Sequence, residues 1–338
     1  MEKDISNTHI EEDSNDTMSE IIEIEKTEEV EEPKLQVDLQ VDQLDGVGAV
    51  TKKKLEAFGI KNIIDICVRG GQEVSEITGV DKAKANNWVF NSQKILEDND
   101  LVRKTDMEIM ELLEYQESQP RLASKCESFD GLFNGGLVSE SVYEVYGEFG
   151  CGKTQLCLTL TAEAIAQGQD VIWIDCEDTF KPRRLREMLI ARELATEENA
   201  NEMLEHVRYF YTPNTELNVR LVVLDGAIGQ FREEYLGRGH LSVRQNQIAR
   251  LMTHIKNISF YFRCVVLFTN QVQSDPSVMF GDPVKPIGGN IVAHASTYRV
   301  YFKKSGKKRL ARMVDSPEHE MLDAAYQLTV KGIEDVES

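Results

Sequence analysis

The feature that most constrains this chain is Gly147-Glu148-Phe149-Gly150-Cys151-Gly152-Lys153-Thr154, a complete G-x-x-x-x-G-K-S/T loop. It follows an apolar strand-like run, Ser141 to Tyr146, and precedes a helix predicted to begin near Gln155. That strand–loop–helix context belongs to α/β sheets that bind nucleotides. Glycines let successive backbone N–H groups wrap phosphates, and a helix N-terminus adds positive potential. Lys153 is therefore expected to reach the β- and γ-phosphates, and the Thr154 hydroxyl to hold Mg²⁺.

Other apolar runs end in polar groups, where open α/β sheets bind ligands. Arg220 to Asp225 offers the Asp225 carboxylate to the outer shell of the magnesium ion. Asp170 to Glu177 offers Glu177 as a base for an attacking water, although an acid there also reads as a helix N-cap or a surface ion pair. Cys264 to Gln271 ends in groups able to sense a γ-phosphate. Together they predict a doubly wound, mostly parallel sheet with ATP at its carboxyl edge. One spacing resists this: only residues 213–219 separate the strand-like His206 to Thr212 from the Asp225 strand. A parallel crossover needs about a dozen residues. Either the two segments are not neighbours, or the sheet is perturbed.

The net charge of −20 argues against nucleic acid until its location is considered. Residues 1–34 hold thirteen Asp/Glu against three Lys, half of the excess. Such a segment cannot bury enough surface to offset ordering entropy, so 1–40 is expected to be a disordered acidic tail, serving solubility or competing with DNA for basic surfaces. Residues 41–100 read as short helices split by glycine turns. Gly46-Val47-Gly48 precedes a helix with Lys52, Lys53 and Lys54, which looks like a helix-hairpin-helix motif in which Gly46 and Gly48 can take positive φ and Lys52 is expected to contact DNA phosphate. Ile77 to Ala83 resembles a second, degenerate copy. The same residues also read as an ordinary helical bundle. Residues 101–120 are the expected linker, and 121–335 the core. Six cysteines without a C-x-x-C pair suggest reduced, buried thiols. With no long apolar run, the chain is expected to be cytoplasmic and off the membrane.

Five segments in order, Gly147 to Leu156, Ile174 to Phe180, Gly237 to Ser242, Thr269 to Val272 and Pro286 to His294, resemble the archaeal RadA recombinases. The resemblance spans about residues 41–335. It implies a RecA-like P-loop ATPase core behind a small all-α helix-hairpin-helix domain, in a DNA-dependent ATPase of recombination and repair. Such a protein forms a filament or ring with copies of itself, pairs single-stranded with double-stranded DNA, and works with recombination mediators. ATP and Mg²⁺ are implied, with K⁺ at the acidic cap. By resemblance Glu177 is catalytic, and Gln271 couples the γ-phosphate to a disordered loop two, about 272–286. Gln155 completes the nucleotide site and Arg184 packs against adenine. His294 signals between protomers, and Asp315 to Pro317 form a cap over a neighbour's ATP. Loop one, about 231–244, turns Tyr235, Arg238 and Arg244 toward DNA, and Gly288 and Gly289 bring backbone N–H groups to phosphate.

Several residues depart from the family's pattern. The protomer-linking Phe-x-x-Ala has no clean match; Met107-Glu108-Ile109-Met110 is nearest. Met can fill a Phe pocket, but Met110 is bulky where Ala is expected. That departure keeps open a recombinase paralogue that binds ATP and a partner without forming filaments. Lys181-Pro182-Arg183-Arg184 reverses one charge, and the cap continues Glu318-His319-Glu320 without a second proline.

Overall fold

An apolar run such as Leu221-Val222-Val223-Leu224 buries both faces of a strand and needs a layer on each side. The computed structural model describes residues 39–209, 219–229, 231, 241–274, 284–306 and 308–336. Its strands are β1 (Arg121–Leu122), β2 (Leu137–Val138), β3 (Ser141–Gly147), β4 (Asp170–Asp175), β5 (Val207–Tyr209), β6 (Val219–Asp225), β7 (Val265–Asn270), β8 (Val272–Ser274), β9 (Val284–Pro286), β10 (Tyr298–Ser305), β11 (Lys308–Asp315), β12 (Asp323–Thr329) and β13 (Gly332–Asp335). Nine of them form one sheet in the order β13-β12-β11-β10-β3-β7-β6-β4-β5. From β10 to β5 every pairing is parallel, and β10 to β13 form an antiparallel extension. The expected doubly wound, mostly parallel sheet is present.

Its helices are α1 (Ala49–Ala57), α2 (Ile63–Thr78), α3 (Lys82–Asp98), α4 (Ile109–Ser118), α5 (Glu127–Asp130), α6 (Lys153–Ile165), α7 (Pro182–Ala191), α8 (Ala200–Met203), α9 (Leu241–Tyr261) and α10 (Gly289–Ala295). None of these is long and apolar enough to cross a membrane. Alternate residues of the central strands feed two cores. Val145, Leu221, Val223 and Leu267 join Leu156 and Leu160 of α6. Val222, Leu224, Val266 and Phe268 join Ile248, Met252 and Ile255 of α9. Each fully buried aliphatic side chain contributes about 1.5–3 kcal/mol, so the two layers hold the strand ends in register.

The short connection before β6 has a topological answer. β5 pairs with one edge of β4, and β6 with the other, so β5 and β6 are not neighbours. Tyr209 lies opposite Trp173 and Val219 opposite Asp170. The return thus spans three residues along β4 and two strand spacings, about 14 Å in all at 3.3 Å per residue and 4.8 Å per strand. Residues 210–218, outside the described residues, are long enough to bridge that distance, since nine extended residues reach about 30 Å. Of the two alternatives the spacing left open, the first holds: the segments are not neighbours.

The helical module has its own core of Leu55, Ile63, Ile66, Val74, Trp88 and Leu96. Asn62 and Asp65 form a reciprocal capping box at the start of α2, and Asp81 caps α3. Leu39 and Gln40, assigned to the tail from sequence, belong here: Ile63 N–H donates to the Leu39 carbonyl at 2.8 Å, and Gln40 bridges Asn62. The rest of the expected tail lies outside the described residues. The module is seated on α9, where His254 Nε2 lies 2.7 Å from Glu73, Arg250 donates to Glu76 at 2.8 Å, and Asn257 donates to the Val68 carbonyl at 2.8 Å. Residues 101–120, the expected linker, contain α4. The Tyr115 hydroxyl donates to Glu140, and the Arg103 guanidinium sits 5.4 Å over Phe260. Ile109 and Met110, from the candidate linking segment, are exposed. All six cysteines are free thiols, five of them buried.

Candidate functional site

The phosphate loop leaves β3 at the carboxyl edge of the sheet, between β10 and β7. A Cβ on Gly147 would lie 2.2 Å from the Phe302 carbonyl oxygen, so only glycine lets the loop start this close to β10. Gly150 and Gly152 have φ of +74° and +110°, and Gly152 caps α6. The helix begins at Lys153, two residues before the expected start, because the left-handed Gly152 turns the chain directly into it. Glu148 and Phe149 lie at the exposed tip, Phe149 being 95% exposed. Lys153 Nζ rests on the loop, donating to the carbonyls of Gly147 at 3.0 Å and Glu148 at 3.2 Å. Cys151 is buried beneath the loop, and burial pushes its thiol above the ordinary value despite the nearby Lys153. It stays neutral at physiological pH and sets no negative charge beside a phosphate.

Asp225, at the end of β6, is almost fully buried and accepts three hydroxyl hydrogen bonds. Thr154 and Thr179 donate to Oδ2 at 2.8 and 3.0 Å, and Thr269 donates to Oδ1 at 2.6 Å. The Thr154–Asp225 pair fits Mg²⁺, which typically takes one or two protein oxygens and fills its octahedron with phosphate oxygens and water. Among the described residues no group of three His, Cys, Asp or Glu is placed to hold a metal ion.

Glu177 follows β4 in a turn shaped by Asp175, whose Oδ1 accepts from Glu177 N–H at 3.1 Å and whose Oδ2 accepts from Phe180 N–H at 2.8 Å. The turn leaves the Glu177 carboxylate exposed at the sheet edge. Gln271 Nε2 donates to Glu177 Oε1 at 2.8 Å, joining two residues far apart in sequence. Arg184, on α7, donates to Gln155 Oε1 at 3.0 Å and to the carbonyls of Thr329 at 3.0 Å and Val330 at 2.7 Å. Its guanidinium is thereby tied to Gln155 of the loop helix and to the end of β12.

Sequence reasoning missed Asp175, Thr179, Thr269 and Gly226. The three polar residues stand at or just past strand ends, as Glu177 and Gln271 do, which was the available signal. Gly226 has φ +81°, and a Cβ there would lie 2.4 Å from Glu177 Cγ. Gly226→Ala is expected to displace Glu177 and lower ATP turnover by about tenfold or more while sparing nucleotide affinity, since misplacing a reacting group by about 1 Å costs up to 10²-fold. Parallel measurements of turnover and nucleotide titration check this, and unchanged turnover would refute it.

Arg244, Gly288 and Gly289 line one surface cavity of about 480 Å³, with Gln273 and Asn290. Gly288 and Gly289 have positive φ at the start of α10, and His294 is exposed in its last turn. Two loop boundaries need correction. Arg244 lies within α9, which starts at Leu241, rather than in loop one. The ends of loop two form an antiparallel ladder, β8 with β9, rather than a disordered loop. Tyr235, Arg238 and residues 275–283 lie outside the described residues. Asp315 and Pro317 stand apart from the phosphate loop: Asp315 pairs with Arg299 at the start of β10, whereas Phe302 of that strand lies beside Gly147.

In the helical module Gly46 has φ +77°, whereas Gly48 has φ −86° in extended backbone and does not use the left-handed region open to it. It serves as the N-cap of α1, a position that does not require the left-handed region. Lys52 is engaged with Asp42 at 2.7 Å. Lys84 and Lys54 approach the two hairpins at Gly46 and Gly79.

A profile of the Rad51 family matches residues 117–336. A protein of Cenarchaeum symbiosum named DNA repair and recombination protein RadA is 36% identical over 318 residues, covering 89% of this chain and 80% of that one. A protein of the same name from Methanoculleus marisnigri is 33% identical over 329 residues, covering 88% and 98% respectively.

Proposed function

This chain belongs to the Rad51 family, and from that premise we propose that it is an ATP-dependent recombinase that assembles on single-stranded DNA and exchanges it into a homologous duplex. The observation that carries the reading is the 2.8 Å contact between Glu177 and Gln271. It puts a candidate base for ATP hydrolysis in direct touch with the residue from which the 272–286 segment departs.

ATP binds with its phosphates in the Gly147–Thr154 loop, where Lys153 leaves the loop carbonyls for the β- and γ-phosphates. Thr154 and Asp225 would hold a magnesium ion, which would supply charge neutralisation to the phosphates. Glu177 accepts a proton from the attacking water, and Gln271 exchanges its bond to Glu177 for the γ-phosphate. Arg184 and Gln155 flank the base. Asp315 and Pro317 are too distant to close over the nucleotide of their own chain, so they serve a neighbouring copy, with His294 reading the same interface. Potassium at that acidic cap is part of the proposal, as are recombination mediators as partners. Arg244, Gly288 and Gly289, with Tyr235 and Arg238, face DNA. Contacts of these kinds reach the backbone and give affinity without sequence preference. Residues 41–100 act as a helix-hairpin-helix domain on DNA through Gly46, Gly48 and Lys52, and 121–335 as the ATPase core.

Adding single-stranded DNA to the full chain is expected to raise ATP turnover by about tenfold, roughly the effect of properly placing one catalytic group. Electron microscopy with DNA and an ATP analogue should show helical filaments. Unstimulated turnover, or only monomers and closed rings, would overturn the reading.

A further inference from the structure

Beneath Gln271 lies a buried polar chain that neither binds phosphate nor carries out catalysis. Asn270, the last residue of β7, is 1% exposed. Its Nδ2 donates to Glu144 Oε1 and to the Ile287 carbonyl, each at 2.7 Å. Glu144, in the middle of β3, is fully buried, and its second oxygen accepts from Arg299 Nε of β10 at 2.6 Å. Arg299 in turn lies 5.6 Å over the Tyr146 ring. Burial pushes the Glu144 carboxyl up, while Arg299 and Asn270 pull it back.

The orientation of the Asn270 amide is settled by its neighbours. Both groups facing Nδ2 are acceptors, so flipping the amide would set Oδ1 against a carboxylate and a carbonyl. Oδ1 has no hydrogen-bond partner among the described residues. The side chain is thus held wholly through its donors, and one of its two links reaches the base of loop two. Ile287 N–H donates to the Gln271 carbonyl at 3.1 Å, while the Ile287 carbonyl accepts from Asn270. Ile287 directly precedes Gly288 and α10, and β8 and β9 pair between Gln271 and Ile287. Gln271 and Ile287 adjoin the same end of that ladder, the Val272–Pro286 pair, and the Asn270 amide ties the end of β7 to it beside the direct backbone bond.

We propose that Asn270, braced by Glu144 and Arg299, is a positioning residue that transmits movement of Gln271 to Ile287 and the Gly288–Gly289 turn, so that nucleotide state sets the geometry of the DNA-facing cavity. The inference rests on the proposed role of Gln271. Fully buried, charge-assisted hydrogen bonds suit this task, because a low local dielectric makes them strong and their loss costly. They make the strand end and the loop exit move as one body.

The test uses the full chain with Asn270→Leu, which removes both donors at similar volume, and Glu144→Gln, which removes the charge and leaves one acceptor oxygen for the Asn270 and Arg299 donors. Asn270→Leu is expected to abolish most of the about tenfold DNA stimulation of ATP turnover, the scale of one charge-assisted hydrogen bond, with unstimulated turnover and nucleotide affinity unchanged. Hydrogen exchange at Ile287–Ala295 should respond to a non-hydrolysable ATP analogue in the parent chain and lose that response in the variant. A smaller loss is expected for Glu144→Gln, which decides the matter should Asn270→Leu not fold. Retained stimulation and retained nucleotide-dependent exchange would overturn the clamp. So would a parallel fall in unstimulated turnover, affinity and melting temperature, since that marks a merely structural role. If the parent chain itself shows no DNA stimulation, the recombinase reading fails and the clamp fails with it.

Discussion

Glu177→Gln is expected to lower ATP turnover by about 10²–10⁴-fold, the range for loss of a general base, with nucleotide affinity nearly unchanged. The side-chain amide keeps the length of Glu177 and retains an oxygen that can accept from Gln271 Nε2, now at 2.8 Å. Asp175 shapes the turn through backbone N–H groups, so the substitution leaves the local fold intact. What disappears is the ability to take a proton from water. Phosphate release measured beside titration with a fluorescent nucleotide separates the two effects. Retained turnover would remove the role assigned to Glu177, and a parallel loss of binding would recast it as a binding residue.

Asp225→Asn should strike at metal-dependent binding instead. The carboxylate accepts from Thr154, Thr179 and Thr269 at once. An amide has one oxygen, so at least one of these hydroxyls then faces an NH₂ group. Loss of an outer-shell carboxylate typically lowers metal affinity by about 10–100-fold. A buried donor left without its acceptor costs about 1–3 kcal/mol of stability. Calorimetric titration of nucleotide with Mg²⁺ and with a chelator should show a large difference for the parent chain and a much smaller one for Asp225→Asn. Equal metal dependence in both proteins would exclude Asp225 from the metal site. Glu177→Gln is expected to retain the metal dependence that Asp225→Asn loses, so the two variants distinguish the proton acceptor from the metal support.

The spacing of glycines around Lys153 and the apolar runs ending in Asp225, Glu177 and Gln271 were legible because each depends on residues adjacent in the chain. The same holds for the turns at Gly46 and Gly288. Less was legible where the local pattern was ambiguous. Gly48 needs no special φ when it merely caps α1. Residues 109–118 form a helix without burying a face, so their apolar periodicity is weak. Arg244 was placed in a loop although α9 already includes it.

By itself, the order of residue types determined that a glycine-rich loop lies between a strand and a helix, and that several strand tips carry polar groups, since bond geometry and side-chain alternation act over a few residues. Only the tertiary structure decided that β5 and β6 flank β4, that Asp225 serves three threonines, and that Asn270 reaches both Glu144 and Ile287. Those contacts depend on strand order and on the burial of two apolar layers, which bring distant side chains within hydrogen-bond reach without leaving a mark in any short stretch of sequence.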